Sequence, residues 1–495
     1  MAERWPTAGV NVEEMIMAAH NTEHDIPRVG GYGENVEITQ TGSCTSTNPT
    51  ISPAPSNHAA VYPEDSILAN FMDFAREYSE SEDQMLIGAV LPVVARLLAR
   101  RVFISFCGKK YPNLYHVLVT KPGLRKTTNI LLAARIGKLI LQPDAFFTGS
   151  ASEEALFSEY QKNPDRLWIE DEGNTLLAFL ANHAAGQFVA KRLLKLYDCV
   201  PWQQTYMRQR KESDNEEAEQ VIEESSTSLL TGTTFPSCRF NKLETRDGMR
   251  RRVCYYLSER LARTIYWPPD LDGDRVKHLA VKFGRLLELG GEMRLSEDAQ
   301  SLWKELQDKN RHEITVTTGF DSASEAYGSA LAEEGSKTLK RAMVFEVCRW
   351  AKNDLRDWDT IQRDTLALAA EHERYCLEAG SALDSIGERA EIRNEADSIL
   401  ALIRSSGKPD QYGHINLTRT DLTVRFAPHP ERRGAMTPDR LYTKILPDLI
   451  KRGLARLAQK DGKRETYEFT VEGTPTHARG GDVEKLSGLS NKAQG

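Results

Sequence analysis

The sequence predicts an α/β fold, in which a parallel sheet alternates with helices, followed by a smaller domain at the C-terminal end. Three observations lead to this prediction. Short apolar runs alternate with helical stretches from Leu114 to about Arg263, which is the rhythm of a parallel sheet. After Pro268 the apolar positions recur at spacings of three and four, as in helices. The pattern of helix, strand, two helices and hairpin then closes the chain.

Length and composition narrow the class of protein. The 495 residues, 40% of them hydrophobic, suffice for two or three domains. The most apolar early stretch, residues 88–108, contains Arg96, Arg100 and Arg101, and charges at that depth argue against a membrane span. The start of the chain lacks the features of a signal peptide, so we expect a cytoplasmic protein. Seven cysteines without a CxxC pair favour neither a disulfide framework nor structural zinc.

Changes in composition divide the chain into five segments. Up to about Ala60 it is rich in Ser, Thr, Asn, Gly and Pro, which is typical of disorder. Two amphipathic helices are predicted between Glu64 and Arg101. The predicted segments are a disordered leader (1–60), an α/β core with its leading helices (61–265), a helical lid (266–388), a DNA-binding domain (389–472) and a flexible tail (473–495).

The strongest chemical signal is the segment VLVTKPGLRKTTNILLAARIG. It places an apolar strand, a turn and then Lys126, Thr127 and Thr128 at the start of a helix, which is the topology of a phosphate-binding P-loop. Lysine reaches the β and γ phosphate oxygens, and the hydroxyl of Thr127 is suited to hold Mg²⁺. The helix N-terminus supplies backbone N–H groups and a partial positive charge. We therefore predict that ATP and Mg²⁺ are cofactors.

The loop departs from the full GxxxxGK[ST] pattern. Thr120 stands where the first glycine belongs and Arg125 where the second belongs, so Gly123 is the glycine that remains. Glycine at these two positions would allow backbone angles that threonine and arginine adopt with difficulty. The candidate nucleotide-binding residues are nonetheless Gly123 and Arg125 together with the KTT run. An ordinary turn between a strand and a helix is the alternative.

A second element stands downstream of the loop. RLWIEDEG is an apolar strand that ends in consecutive carboxylates, at the distance expected for the acidic element of P-loop ATPases. Asp171 is predicted to hold the Mg²⁺ shell and Glu172 to orient the attacking water. A solvated strand end is the alternative for either acid alone.

Two later segments carry further candidates. SLLTGTTFP predicts another buried strand, whose end offers Thr233 or Thr234 to sense the γ-phosphate, and the family resemblance described next favours Thr234. DGMRRRVCYYL places Arg250, Arg251 and Arg252 before a strand, where an arginine would reach the nucleotide of a neighbouring subunit and stabilise charge there. A strand end and a basic loop are the respective alternatives.

With these pieces in order, the sequence resembles a bacterial, phage and plasmid family of P-loop ATPases known as a domain of unknown function, found alone or fused behind primase domains. The resemblance covers about Glu64 to Ala379, through the KPGLRKTT, IEDEG, LLTGTTFP, DGMRRRV and KTLKRAMVFEV segments. Members look like replicative helicases, so it implies an AAA+ or RecA-like core. It also implies an arginine finger at Arg252, as in minichromosome-maintenance helicases, and a nucleotide-sensing arginine at Arg341.

The C-terminal segment predicts a winged-helix domain. Thr437 and Pro438 start its long helix, and the hairpin turns at Asp461 and Gly462. Residues 411–470 contain twelve basic and seven acidic residues, and a local basic excess is the footprint of phosphate contact. A protein-interaction module is the alternative. The candidate DNA-binding residues are Arg440, Lys444, Lys451, Arg452, Lys463 and Arg464.

These elements together predict an ATP-dependent DNA-binding motor or replicative helicase-like protein of a mobile element. A trans-acting arginine implies a homo-oligomer such as a hexameric ring, and the resemblance implies a primase or other replication proteins as partners. The alternative is a replication initiator or regulator that binds DNA on an ATPase scaffold without hydrolysing ATP.

Overall fold

The structure is a computed structural model that describes residues 60–149, 152–207, 217–235, 248–267, 269–317, 322–353, 357–427, 436–461 and 464–470. The chain divides into two compact units, residues 1–387 and 388–495. The predicted leader falls outside the described residues except for Ala60, and the predicted tail falls outside them entirely. The segment expected to be a separate lid belongs to the first unit.

The elements of the first unit are, in chain order, α1 (Ile67–Tyr78), α2 (Asp83–Leu98), β1 (Val102–Ser105), β2 (Lys109–Lys110), β3 (Tyr115–Thr120), α3 (Lys126–Ile140), β4 (Phe146–Phe147), α4 (Glu153–Lys162), β5 (Asp165–Glu170), α5 (Gly173–Asn182), α6 (Ala184–Asp198), β6 (Trp202–Met207), β7 (Glu217–Ile222), β8 (Ser226–Thr234), α7 (Met249–Arg252), β9 (Val253–Ser258), α8 (Gly273–Gly284), β10 (Gly291–Leu295), α9 (Glu297–Thr317), α10 (Ser322–Asn353), β11 (Thr360–Ile361) and α11 (Arg363–Ser406). The last of these continues past residue 387 into the second unit.

The main sheet has the order β4-β5-β8-β3-β9, and all of its strands are parallel. This confirms the predicted α/β core. β3 and β8 are buried along almost their whole length, as expected for strands covered by helices on both faces. In register, Thr120 lies beside Thr234 on one side and Ser258 on the other. The carboxyl ends of these strands therefore meet at one edge.

The strand order also reverses at β3. The chain leaves β3 for β4 at one side of the sheet, returns through β5 to β8, and then passes to β9 on the other side of β3. In open α/β sheets, ligands bind outside the carboxyl ends of the strands at such a reversal. The topology therefore predicts a ligand site at the loops that follow β3, β5 and β8.

A second, smaller sheet joins distant parts of the first unit. Its order is β11-β10-β1-β2, and β10 pairs in parallel with both β1 and β11. The sequence predicted residues 266–388 as helical, and that prediction is wrong at β10 and β11. Both strands are short, and β10 alternates between buried and exposed positions, so their pattern is lost among the longer helical periods.

Helix α10 is part of the core of the first unit and packs with α1, α2 and α7. Its residues from Leu339 to Ala351 are almost all buried, and they include the charged residues Lys340, Arg341, Glu346 and Arg349. Apolar residues of the segment 266–388 lie in the same hydrophobic cluster as those of the main sheet, and the function of this segment as a lid stays a prediction.

The second unit adds β12 (His414–Thr418), α12 (Arg419–Phe426), α13 (Pro438–Arg440), a π-helical turn (Leu441–Ile445), α14 (Leu446–Lys451), β13 (Ala455–Asp461) and β14 (Arg464–Thr470). The three strands form an antiparallel sheet of order β12-β14-β13. Leu422, Ile445, Leu449 and Phe469 are buried in its core. Helix, strand, two helices and hairpin thus follow in the predicted order.

The predicted helix ends of this unit are present. The Thr437 side chain caps α13 by accepting a hydrogen bond from the backbone N–H of Arg440 at 3.1 Å, and Gly453 follows α14 with φ of 71°. The π-helical turn ends directly before α14, whose second residue is Pro447. Proline removes one hydrogen bond and crowds the carbonyl four residues earlier, and a π turn accommodates both changes.

No helix in the described parts of the chain is both long enough and apolar enough to cross a membrane.

Candidate functional site

The loop after β3 is shaped by two residues in the left-handed region. Gly123 has φ of 85° and Arg125 has φ of 61°, and α3 begins at the next residue. The left-handed conformation costs a non-glycine residue about 1 kcal/mol. The loop therefore adopts a backbone turn for which the sequence provides glycine at one position and arginine at the other.

Contacts from the segment between α1 and α2 hold Arg125 in this conformation. Arg125 Nε donates to Glu80 Oε2 at 2.9 Å, and the other oxygen of Glu80 accepts from the backbone N–H of Ile265 at 3.1 Å. These two hydrogen bonds, that of Ile265 first, hold the pKa of Glu80 below its ordinary value. The Ser81 hydroxyl donates to the carbonyl of Leu124 at 3.2 Å. These tertiary contacts thus stabilise the left-handed conformation of Arg125, which a second loop glycine would adopt without them.

The side chain of Lys126 converges with the end of β5 around Gly232 of β8. A Cβ atom placed on Gly232 would lie 2.9 Å from Ile130 Cδ1, 3.3 Å from Lys126 Cδ and 3.6 Å from the carbonyl oxygen of Asp171. Glycine at 232 is therefore what lets the lysine and the carboxylate loop approach each other. We call Lys126, Asp171, Glu172 and Gly232 the edge site.

The three acids at the end of β5 occupy different environments. Glu170 faces the backbone, since its carboxylate accepts from the N–H of Gly149 at 3.0 Å and from the N–H of Glu172 at 3.4 Å. Asp171 and Glu172 are exposed. A Cβ on the next residue, Gly173, would lie 2.5 Å from Thr231 Oγ1, so this loop packs tightly on β8. The two exposed acids are the ones predicted to act on metal and water.

The threonines at the strand ends also differ. Thr233 is buried and donates its hydroxyl hydrogen bond to Asn174 Oδ1, whereas Thr234 is partly exposed at the end of β8. Thr120 ends β3, and its hydroxyl is buried without a hydrogen-bond partner among the described residues. Buried polar atoms are rarely left unpaired, so an unpaired hydroxyl beside the loop marks a place suited to a polar ligand.

Arg252 does not reach the edge site of its own chain. It lies directly before β9, at the amino end of the sheet, and its guanidinium donates to Asp198 Oδ2 at 2.6 Å and to the carbonyl of Gly248 at 3.1 Å. It is 9% exposed. In this structure Arg252 joins α7 to the end of α6, and a role at a neighbouring subunit would require it to leave Asp198.

Arg341 is fully buried, whereas a nucleotide-sensing arginine is expected to face the nucleotide site. Its guanidinium donates to Glu373 Oε1 at 2.6 Å and to the hydroxyl of Tyr256 at 3.0 Å. These groups lie between α10, α11 and the face of β3 and β9. We call this group the buried cluster, and its members are His116, Cys254, Tyr256, Lys337, Arg341, His372, Glu373 and Cys376.

In the second unit, several predicted DNA-binding residues form ion pairs within the unit. Arg440 pairs with Glu395 at 2.8 Å, and Arg452 pairs with Asp397 at 2.5 Å, so both contact acids on the end of α11. Lys444 and Lys451 are exposed. Lys463 lies outside the described residues, and Arg464 is the first residue of β14. Of the residues that the structure describes here, the lysines are the ones on the surface.

No protein-family model matches the chain, and no match to a curated protein is statistically significant. The family resemblance carried by the loop and the carboxylates therefore stays an expectation. The geometry of the edge site is the basis on which function is inferred below.

Proposed function

We propose that the chain binds ATP with Mg²⁺ at the edge site and hydrolyses it, and that the second unit binds DNA. The observation that carries this proposal is that the Lys126 stem and the backbone of Asp171 both lie close to Gly232, at the carboxyl edge of a parallel sheet. A lysine at a helix N-terminus and a loop that carries two exposed carboxylates, at the ends of the two strands that flank β8, match the needs of a bound metal phosphate.

Each residue of the edge site has a distinct role in this proposal. Lys126 neutralises the β and γ phosphate oxygens, and the Thr127 hydroxyl and Asp171 hold Mg²⁺ and its water shell. Glu172 orients the attacking water. Thr120, whose hydroxyl has no hydrogen-bond partner among the described residues, ends β3, and the partly exposed Thr234 ends β8. Both hydroxyls can donate to a phosphate oxygen or a water. Magnesium supplies charge neutralisation at the phosphates.

The order of elements in the second unit supports DNA binding. A helix, a strand, two helices and a hairpin, with the first strand beside the last, follow the winged-helix pattern. Lys444 and Lys451 are exposed on the second of these helices, seven residues apart on one face. Lysines on such a face neutralise phosphates without reading sequence. DNA binding of this kind weakens as salt rises.

A second candidate, nucleotide and DNA binding without turnover, is favoured by one specific observation. The arginines that would contact phosphate are held by acids of the same chain: Arg125 by Glu80, Arg252 by Asp198 and Arg341 by Glu373. Positive charge that is already paired contributes little to a transition state. In this candidate ATP acts as a switch or a structural ligand, and the protein is an initiator or regulator.

Turnover separates the two candidates. We would measure ATP binding and hydrolysis by the purified full chain, with and without single-stranded and duplex DNA. The Lys126→Ala and Glu172→Gln variants would be compared with Lys138→Ala, which removes an exposed lysine from the far end of the same helix. We expect Lys126→Ala to lower kcat/KM at least 100-fold, about 3 kcal/mol of transition-state stabilisation. Lys138→Ala should behave as the unaltered chain.

The two variants also distinguish binding from chemistry. Glu172→Gln should retain ATP binding and lose hydrolysis, since the carboxamide cannot orient water in the same way. ATP binding without turnover in the unaltered chain would establish the second candidate. Failure to bind ATP in a folded chain that still binds DNA would refute a nucleotide site at the edge of the sheet.

A further inference from the structure

The buried cluster contains two thiols that approach each other from different elements. Cys254 lies on β9 and Cys376 on α11, and both are almost completely buried. Their Sγ atoms and a carboxylate oxygen of Glu373 all lie within 4.8 Å of one another. Sulfur atoms this close can join with small side-chain movements, since the bond itself is about 2.05 Å long.

Two cations and one carboxylate surround the two thiols, and the Cys254 Sγ lies 3.5 Å from Glu373 Oε2. Arg341 donates to Cys254 Sγ at 3.4 Å, and Lys337 Nζ lies 3.7 Å from Glu373 Oε2. The hydrogen bond from the Cys376 thiol, together with the charge on Lys337, holds the pKa of Cys254 well below its ordinary value. Burial raises the pKa of Cys376. The pair therefore combines one nucleophilic sulfur with one protonated partner.

The same cations argue against a metal ion as the purpose of this cluster. Two cysteines and a glutamate are a ligand set that zinc accepts, but Glu373 already binds Arg341 at 2.6 Å. A divalent ion would have to enter a buried space beside Arg341 and Lys337, and like charges repel strongly where water is excluded. Thiol oxidation adds no charge to this space.

We propose that Cys254 and Cys376 are a modification site, at which a hydroperoxide oxidises the pair to a reversible disulfide that ties β9 to α11. This inference does not depend on the proposed ATPase activity. A cavity of about 10 Å³ is lined by Cys376 and the partly exposed Arg250 and Ser381, and the Cys376 Sγ lies within 4.8 Å of the second thiol, that of Cys254. A cavity of this size holds about one water molecule, and hydrogen peroxide is close to water in size.

The oxidation proceeds in two balanced steps. The Cys254 thiolate attacks one peroxide oxygen and breaks the O–O bond, which gives the sulfenic acid and a hydroxide that takes up a proton to become water. Cys376 sulfur then displaces the hydroxyl from Cys254 sulfur, its proton leaves with the hydroxyl as a second water, and the S–S bond forms. The two thiols lose two electrons in total, which reduce the peroxide. A dithiol reverses the reaction by exchange.

The test uses the purified full chain. Reduced protein is treated with hydrogen peroxide, the remaining thiols are alkylated under denaturing conditions, and unreduced peptides are mapped by mass spectrometry. We expect a peptide that links Cys254 to Cys376, about 2 Da lighter than the two free peptides together and lost after dithiothreitol. Cys254→Ala and Cys376→Ala should abolish the link. Cys348→Ala, which removes another buried cysteine of α10, should retain it.

Two results would overturn the proposal. One is alkylation of both Cys254 and Cys376 after a treatment that oxidises the exposed Cys107. The other is stoichiometric retention of Zn²⁺ by the reduced chain after dialysis, lost in Cys376→Ala, which would make the cluster a metal site. The linked peptide is measured in the unaltered chain, so the result stands even where a variant fails to fold.

Discussion

The edge site and the buried cluster lie on the same sheet and contain the same kinds of charged residue. They differ in exposure, because the charges of the edge site face solvent and those of the buried cluster are paired inside the core. At the edge site, Asp171 and Glu172 are exposed and Lys126 is partly exposed. In the buried cluster, Arg341 and Glu373 are fully buried and bind each other at 2.6 Å. An exposed charge is available to a ligand, whereas a buried pair holds the chain together.

The difference also explains which sequence signals identify a ligand site. Lys126 and the carboxylates follow the carboxyl ends of strands, where helices cannot cover them. Arg341 lies on a helix that also buries Lys337 and Lys340, and its own charge is directed to Glu373 inside the core. A charged residue within an apolar helical run is therefore first a candidate for a buried pair.

The largest effect on stability is expected from Arg341→Met. The change leaves the Glu373 carboxylate buried without its main partner, which typically costs about 3 to 5 kcal/mol. The free energy of unfolding from urea denaturation measures it. If the double variant Arg341→Met, Glu373→Gln recovers most of the loss, the buried charge is the cause. A change below 1 kcal/mol would remove the distinction between the two regions.

A smaller and purely local effect is expected at the edge site from Gly232→Ala. The added methyl group would lie 2.9 Å from Ile130 Cδ1, which must move, and 3.3 Å from Lys126 Cδ, which must give by a few tenths of an ångström. We expect ATP binding about tenfold weaker, close to 1.4 kcal/mol, measured with a fluorescent ATP analogue. Gly273→Ala, whose methyl group would meet nothing within 4 Å, should bind as the unaltered chain does. Unchanged affinity in Gly232→Ala would exclude the proposed approach of Lys126 to the phosphates.

The smallest effect concerns pH and the buried cluster. Burial holds the pKa of His116 and of His372 below the ordinary 6.5, and burial raises the pKa of Glu373 to about 7. Below pH 6.5 the unfolded chain gains protons at both histidines, whereas the folded chain keeps His372 neutral and takes up the His116 proton at a lower pH than the unfolded chain does. The folded chain already carries the Glu373 proton, which offsets one of the two. Stability should therefore fall by at most about 1.4 kcal/mol per pH unit between pH 6 and 5.

Urea denaturation at several pH values measures this slope. His372→Asn should make it shallower, and His278→Asn, which changes an exposed histidine, should leave it unaltered. Stability that rises as the pH falls through this range would mean that Glu373 dominates the cluster and that the histidines are not held neutral.

Much of the fold could be predicted from the sequence, because long apolar periods decide it. The alternating core and the three-stranded second unit follow from such periods and from caps such as Thr437. The strands β10 and β11 could not be predicted, since five and two residues carry too little pattern. Their partners are also distant in sequence, because β10 pairs with β1 and β11 pairs with β10. The burial of Arg341 could not be predicted for a related reason, because its environment is formed by residues far away in the chain, such as Glu373 and His116.

The residue types of the edge site could be predicted from the sequence, but the tertiary contacts that hold its loop in place could not. The spacing of strand, lysine and carboxylates predicts Lys126 and Asp171 from local pattern alone, and the structure places both after strands of the main sheet. Nothing local in SESE, residues 79–82, indicates that Glu80 holds Arg125. That contact depends on chain segments 45 residues apart, and such pairs are visible only once the elements are packed.

The pairing of β1 with β10 has a consequence for how the chain is made. Ile104 lies beside Met293, which leaves the ribosome roughly 190 residues later, or about 10 to 40 s at 5 to 20 residues per second. During that time the edge of β1 that pairs with β10 has no partner, and an unpaired strand edge can pair with other chains. Cotranslational folding of this protein should therefore depend on a chaperone that covers the nascent chain until Met293 emerges.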